Sequence, residues 1–292
     1  MANRRTHLVI IDPQNDFCDL PADYCPLDPV NPQQRLSPAL PVAGAHADML
    51  RVAQLIRAAG AALSEISVTL DSHQRLDIAH PTFWLQGDGA AVAPFTQISA
   101  AEVRSGKFVP RNRQALARVL AYLDALEAQQ RYLHMVWPVH CEIGSWGNNV
   151  HAAVRASYNQ WEDATGRSVD KVVKGSNPWT EHYSAIQAEV PDSDDADTQL
   201  NRAFIDQLQR AGRIYICGEA GSHCVKATTE HIVANFAAAD IGKLVLIGDC
   251  ISPVAGFEAQ YRDFLADMQA RGVSIASSAE VIAELQCEGA AK

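Results

Sequence analysis

The sequence lacks long apolar runs. None approaches the roughly 20 residues that a membrane helix needs, and the first one, which ends at Asp12, is too short even for the core of a signal peptide. It also lacks a Cys-x-x-Cys pair. The seven cysteines (Cys18, Cys25, Cys141, Cys217, Cys224, Cys250, Cys287) are odd in number and scattered, which excludes a zinc finger and a disulfide framework. Free thiols in a reducing, cytoplasmic setting are the simpler account. Positive charge is scarce: 24 Lys and Arg face 34 Asp and Glu, a net charge of −10. Such a surface repels phosphate backbones and excludes nucleic acid as a partner. The densest acidic cluster, Asp192, Asp194, Asp195 and Asp197, reads as a solvated loop. Internal repeats and low-complexity stretches are absent.

What is present is ordinary globular material. Hydrophobic residues make up 48% of the 292 and charged residues 20%, enough to bury a core without staples. Short β-branched runs recur at His7–Asp12, Glu65–Asp71, His134–Trp137, Lys171–Lys174, Arg213–Gly218, Lys243–Asp249 and Val273–Ser277. Most are apolar on both faces, as strands of a covered parallel sheet are. Helical patterns lie between them at Ala47–Ala59, Arg113–Gln129, Cys224–Phe236 and Phe257–Arg271. In the second, Leu116, Val119, Leu120, Leu123 and Leu126 keep helical spacing. The alternation predicts a doubly wound, mostly parallel sheet with helices on both faces, in one domain over residues 1–292. Two stretches, 19–41 and 83–111, read as long irregular loops, which in compact domains usually serve as lids or binding segments.

Open α/β sheets bind ligands outside the carboxyl ends of their strands. Collecting the residues there gathers Asp12, Asp71, His73, Trp137, His140, Lys174 and the turn Gly218-Glu-Ala-Gly-Ser-His-Cys224. Cys224 follows that turn and opens a predicted helix, where the macrodipole favours a thiolate and free backbone N–H groups face a developing oxyanion. Asp12 is the candidate base. Lys174 is the candidate cation that keeps it charged, and Gly175 beside it suggests a close backbone approach. Each residue also has a plainer reading: Cys224 as a small buried hydrophobe, Asp12 as a turn residue, Lys174 as a solvated amine. Asp71 and His73 share one side of an extended segment. With His140 they form a set suited to Zn²⁺, Fe²⁺ or Mn²⁺. His80 competes for that role, but its neighbours Pro81, Phe83 and Trp84 read as a loop wall. Trp137 and Phe17 are core rings or flat surfaces for a planar substrate.

These residues fall into a known order. Leu8-Val-Ile-Ile-Asp12-Pro-Gln14-Asn15-Asp16-Phe17, Asp71-Ser-His73, Trp137-Pro-Val-His140-Cys141, Val173-Lys174-Gly175, Tyr183-Ser184-Ala185 and Gly218-Glu-Ala-Gly-Ser-His-Cys224-Val225 resemble the isochorismatase-like cysteine hydrolases, in their nicotinamidase branch. The resemblance covers nearly the whole chain, apart from the loops 19–41 and 83–111. It implies a three-layer α/β/α Rossmann-like fold around a mostly parallel six-stranded sheet. It implies a triad of Asp12, Lys174 and Cys224, and a divalent metal, zinc with iron or manganese as alternatives, on Asp71, His73 and His140. It implies a cis peptide just before Ala220, and an oxyanion hole made by the N–H groups of Ala220 and Cys224. Phe17 and Trp137 match positions that sandwich the substrate ring. A homo-oligomer is implied as well. Four residues depart from the pattern: Ser72 replaces an aromatic, His223 a tyrosine, and Glu219 and Ser222 are unusual near the site.

The expected activity is hydrolysis of a small linear amide, such as nicotinamide, to the acid and ammonia through a thioester. The alternatives are another small amide, carbamoyl or ureido substrate with the same triad, or a binding protein on this fold.

Overall fold

The structure is a computed structural model that describes residues 5–290, with side chains as far as Cys287. Residues 1–4, the start of the N-terminal stretch read above, lie outside the described residues. From the N-terminus come β1 (Thr6–Ile11), α1 (Ala45–Ala59) and β2 (Glu65–Asp71). There follow β3 (Trp84–Gln86), β4 (Thr96–Ile98), α2 (Ala100–Arg104), β5 (Phe108–Pro110), α3 (Leu116–Ala128) and β6 (His134–Val136). Next are α4 (Ala152–Thr165), β7 (Asp170–Lys174), α5 (Arg202–Gln209) and β8 (Arg213–Gly218). The chain closes with α6 (Cys224–Asn235), β9 (Leu244–Ile247), α7 (Glu258–Ala270), β10 (Ser274–Ala276) and α8 (Ser278–Ala290).

Six strands form one parallel sheet in the order β10-β9-β8-β1-β2-β7. The central strand β1 is buried along its whole length, and from Leu8 to Ile11 its sequence is continuously apolar rather than alternating. Helix α1 turns Met49, Val52, Leu55 and Ile56 inward at helical spacing. It packs against α4 and α8, while α6 packs against α7. Right-handed crossovers put these two sets on opposite faces, which gives the expected three layers. The connection order reverses at β1: β1, β2 and β7 lead one way, and β8, β9 and β10 the other. The crevice between β1 and β8 is therefore the switch point of the sheet. Register pairs Ile11 with Gly218 and Asp71 with Lys174, so Asp12, Asp71, Lys174 and the turn after Gly218 share one edge.

Three expectations are corrected. The run His134–Trp137 is not a strand of the main sheet; β6 pairs antiparallel with β4. Its side chains alternate between two cores, Met135 and Trp137 into the main one and Val136 into a second. The stretch 83–111 is not irregular. It holds β3, β4, α2 and β5, and with α3 it buries Phe83, Trp84, Ile98, Val103, Phe108, Val119 and Leu123 in that second core. Ser99 and Glu102 cap α2 reciprocally, satisfying backbone donors at its start. Helices α4, α5 and α8 also form where no helix was expected. The loop 19–41 does stay mostly irregular, with a single 3₁₀ turn at Ala22–Tyr24. Asp19 ties it to α1 by accepting from the N–H groups of Gly44 and His46 at 2.8 and 2.7 Å. Among the described residues no helix is long and apolar enough to cross a membrane.

Candidate active site

The turn from β8 into α6 is shaped by its neighbours. Gly218 has φ +119°, and a Cβ there would lie 2.0 Å from the Ile11 carbonyl oxygen; only glycine lets the two strands end this close. The Glu219–Ala220 peptide is cis. The N–H groups of Glu219, Gly221 and His223 are used by Ile11, Ser252 and Ala220. Those of Ala220 and Cys224 take no part in these turn contacts, and Cys224 opens α6.

Asp12 directly follows β1 with φ +44°, a conformation that Asp tolerates better than most residues. The Thr69 hydroxyl donates to its Oδ1 at 2.5 Å, and its own N–H donates to Thr69 Oγ1 at 3.0 Å. Lys174 enters from the end of β7. Its Nζ lies 2.9 Å from Asp12, 2.9 Å from Asp71 and 3.7 Å from Cys224 Sγ, and it donates to the His182 carbonyl at 3.0 Å. The close approach suggested by Gly175 is present: with φ +84°, a Cβ there would stand 2.9 Å from Asp71 Oδ1.

Burial dominates the electrostatics. It pushes the Cys224 thiol well up, against the downward pull of Lys174. Burial thus works against the thiolate expected at the helix N-terminus, because it disfavours the charged form. Asp12 is also raised by burial, with Lys174 opposing and Asp71 adding. Burial works against the charge of Lys174, but Asp12 and Asp71 outweigh it and hold the amine well above its usual range. The arrangement is a thiol and a carboxylate, both shifted up by burial, bridged by one buried amine.

The metal-type side chains converge next to this group. Asp71 Oδ2 lies 3.1 Å from His73 Nε2 and 3.3 Å from His140 Nε2. The other nitrogens of these rings are turned outward, with His73 Nδ1 3.1 Å from Asp77 and His140 Nδ1 2.8 Å from the Pro138 carbonyl. Outer partners of this kind fix a ring's tautomer and present its free nitrogen to a cation. His80 joins them, which corrects its reading as a loop wall. Ligand atoms of His73, His80 and His140 all lie within 4.8 Å of one another. Burial, helped by His140 and His73, lowers His80 to about 2, leaving a neutral imidazole. This buried set of three imidazoles and a carboxylate fits a divalent transition metal.

A small pocket opens beside these groups, lined by Phe17, Trp137, His140, Tyr183, His223 and Cys224 among others. Phe17 meets His140 edge-on at 5.4 Å, and Trp137 donates its indole N–H to Tyr183 Oη at 3.1 Å. Both rings expected to wall a planar substrate thus stand at the cavity. Glu181 lines it too. Burial raises Glu181 to about 7 against the pull of His73, and its Oε2 is buried without a partner. Sequence reasoning missed Asp77 and Glu181. Neither sits at a strand end, and the only available signal was proximity in sequence to His73 and to Tyr183-Ser184-Ala185.

No protein-family model matches the sequence, and no curated protein matches it either. Solved structures do. The yeast nicotinamidase Pnc1p bound to the inhibitor nicotinaldehyde superposes with a TM-score of 0.60 at 17% identity, covering 93% of this chain and 99% of that one. A nicotinamidase/pyrazinamidase of Acinetobacter baumannii gives 0.60 at 18% identity, covering 96% and 100%. A pyrazinamidase of Pyrococcus horikoshii in complex with zinc gives 0.53 at 18% identity, covering 94% and 99%. The chain has the isochorismatase-like fold that these nicotinamidases and pyrazinamidases share.

Proposed function

We propose that this chain is a cysteine amidohydrolase of the nicotinamidase type, acting as one domain on a small amide. The observation that carries the reading is the meeting of Asp12, Lys174 and Cys224 at the switch point of the sheet, with Lys174 Nζ 2.9 Å from the carboxylate and 3.7 Å from the thiol. Asp12 takes the Cys224 proton as the sulfur attacks the amide carbon. The oxyanion is received by the N–H groups of Ala220 and Cys224, each good donor being worth about 3–4 kcal/mol. As the tetrahedral species collapses, the C–N bond breaks and Asp12 returns the proton to the leaving nitrogen, releasing ammonia. Water then hydrolyses the thioester and restores the thiol. Lys174 holds Asp12 ionised and aimed. Asp71, His73 and His140, with His80 as a fourth donor, would hold one divalent ion, zinc by analogy with the Pyrococcus pyrazinamidase. Such an ion polarises or orients a bound group as a Lewis acid. Phe17 and Trp137 wall the substrate ring.

The test is ammonia release from a panel of small amides that includes nicotinamide. Wild type should turn over at least one of them, and Cys224→Ala should bind metal as before but lose turnover. Undiminished turnover by Cys224→Ala would end this mechanism. A second reading, a carbamoyl or ureido substrate, is favoured by Glu181. Its buried Oε2 without a partner would accept a hydrogen bond from a substrate N–H that nicotinamide's ring nitrogen cannot offer.

A further inference from the structure

Glu219 plays no part in the mechanism above, yet it adjoins the oxyanion turn. It is fully buried and Asp48 on α1 nearly so, and Ser252 binds both carboxyl groups, its N–H donating to Glu219 Oε2 at 3.2 Å and its hydroxyl to Asp48 Oδ2 at 2.6 Å. Two carboxylates offer only acceptors and repel each other, so gathering both in one buried site favours a proton on one of them. The remaining contacts say which. Asp48 receives the Arg51 guanidinium at 2.5 Å and the Ser252 hydroxyl at 2.6 Å. Glu219 receives a single backbone N–H, from Ser252 at 3.2 Å on Oε2, and its buried Oε1 faces no donor. We propose that Glu219 is a neutral carboxylic acid whose O–H donates to Asp48, and that this bridge positions the oxyanion turn.

The connection to the turn is short. Ser252 ties three pieces together: its N–H binds Glu219, its hydroxyl binds Asp48, and its carbonyl accepts from the Gly221 N–H at 2.8 Å. The Ala220 N–H is the next donor along the chain after Glu219. A displaced Glu219 carries that donor with it. Burial, followed by Asp48, pushes the Glu219 carboxyl well above its usual range, in agreement with the contacts. The other titratable groups facing this cluster are Asp19 and Cys18 from the loop after β1, Cys217 of β8 and Tyr261 of α7. All of them are acids. Arg51, the cation beside the cluster, is paired with Asp48. A carboxyl whose folded value is raised favours the folded arrangement at low pH and loses that contribution as pH rises through the folded value. The bridge is therefore present at low pH and is lost as pH rises through the folded value. Glu219 acts through Ala220, as a positioning residue.

The catalytic half of this proposal rests on the oxyanion role given above; the protonation half does not. The test compares wild type, Glu219→Gln and Glu219→Leu in the full chain. The infrared difference spectrum of wild type minus Glu219→Gln at neutral pH should show the carbonyl stretch of a protonated carboxylic acid. That band should disappear at alkaline pH. Glu219→Gln, whose amide N–H₂ can still donate to Asp48, should keep kcat within about threefold and lack the wild-type alkaline decline. Glu219→Leu should lose about 10- to 100-fold in kcat with KM little changed, the size of effect expected from a misplaced catalytic donor. A spectrum with only carboxylate bands overturns the proposal whatever the activity. So does a Gln variant as impaired as the Leu variant. If Leu fails to fold, the infrared band and the alkaline limb of the Gln variant decide. An inactive wild type with the acid band present would sink the amidase reading and leave the protonated bridge standing.

Discussion

Replacing Lys174 by Met removes a cation but keeps most of its volume, so the loss is electrostatic rather than a cavity. The Lys174 side chain is 1% exposed, and its Nζ lies 2.9 Å from each of two buried carboxylates, Asp12 and Asp71. At an effective dielectric of about 20, each contact is worth about 6 kcal/mol of gross Coulomb energy, most of it offset by desolvation. Deleting one partner of a buried pair costs about 3–5 kcal/mol, because the other charge is left uncompensated. Against a total stability of about 5–15 kcal/mol, that should lower the melting temperature by on the order of 10 °C. Adding Asp12→Asn removes one of the stranded charges. The double variant should therefore be less destabilised than the sum of the singles, with a coupling of about 0.5–3 kcal/mol. Thermal and urea unfolding of the four proteins, followed by circular dichroism, measures this without reference to activity. Because Lys174 is held above its usual range, its stabilising contribution is complete below the unfolded value and fades only as pH rises through the folded one. The Met deficit should thus persist across neutral pH. Additivity of the two substitutions within about 0.5 kcal/mol would refute the argument.

Other outcomes follow from the same geometry. Asp77→Asn, which weakens the acceptor holding His73 Nδ1 at 3.1 Å, should lower zinc affinity about 10- to 100-fold in a chelator titration. Trp84→Ala should cost about 3–5 kcal/mol in unfolding experiments, since Trp84 is wholly buried in the second core; a cost near zero would mean that the 83–111 region does not pack as described. Asp12 must be ionised to act as a base, and burial raises its carboxyl. The acid limb of kcat/KM against pH should therefore fall above the ordinary aspartate range, and a limb below that range would remove Asp12 from the role of base.

Much of the architecture was legible in advance, because one physical cause dominates it. A strand covered on both faces is mostly apolar, so β1 and β9 announce themselves as runs such as Leu8–Ile11 and Leu244–Ile247. The edge of the sheet that collects Asp12, Asp71, Lys174 and Cys224 follows from strand order alone. The second core was harder to see. Its strands are three residues each, too short for periodicity to register. Helix α4 was missed because its buried side, Val154, Ser157, Tyr158 and Trp161, mixes polar and aromatic residues. His80 was misread because its neighbours are apolar, whereas what decides ligation is the position of a nitrogen in space.

The amino-acid sequence by itself determined which residues could carry chemistry and that a parallel sheet would bring their strand ends to one side. Tertiary structure alone decided their protonation and their partners. Desolvation pushes the Cys224 thiol up despite its helix N-terminus, and Glu219 and Asp48, 171 positions apart in the chain, share Ser252 in a buried site that favours a proton on one of them. Both depend on how much water remains around a charge, and local sequence does not encode that.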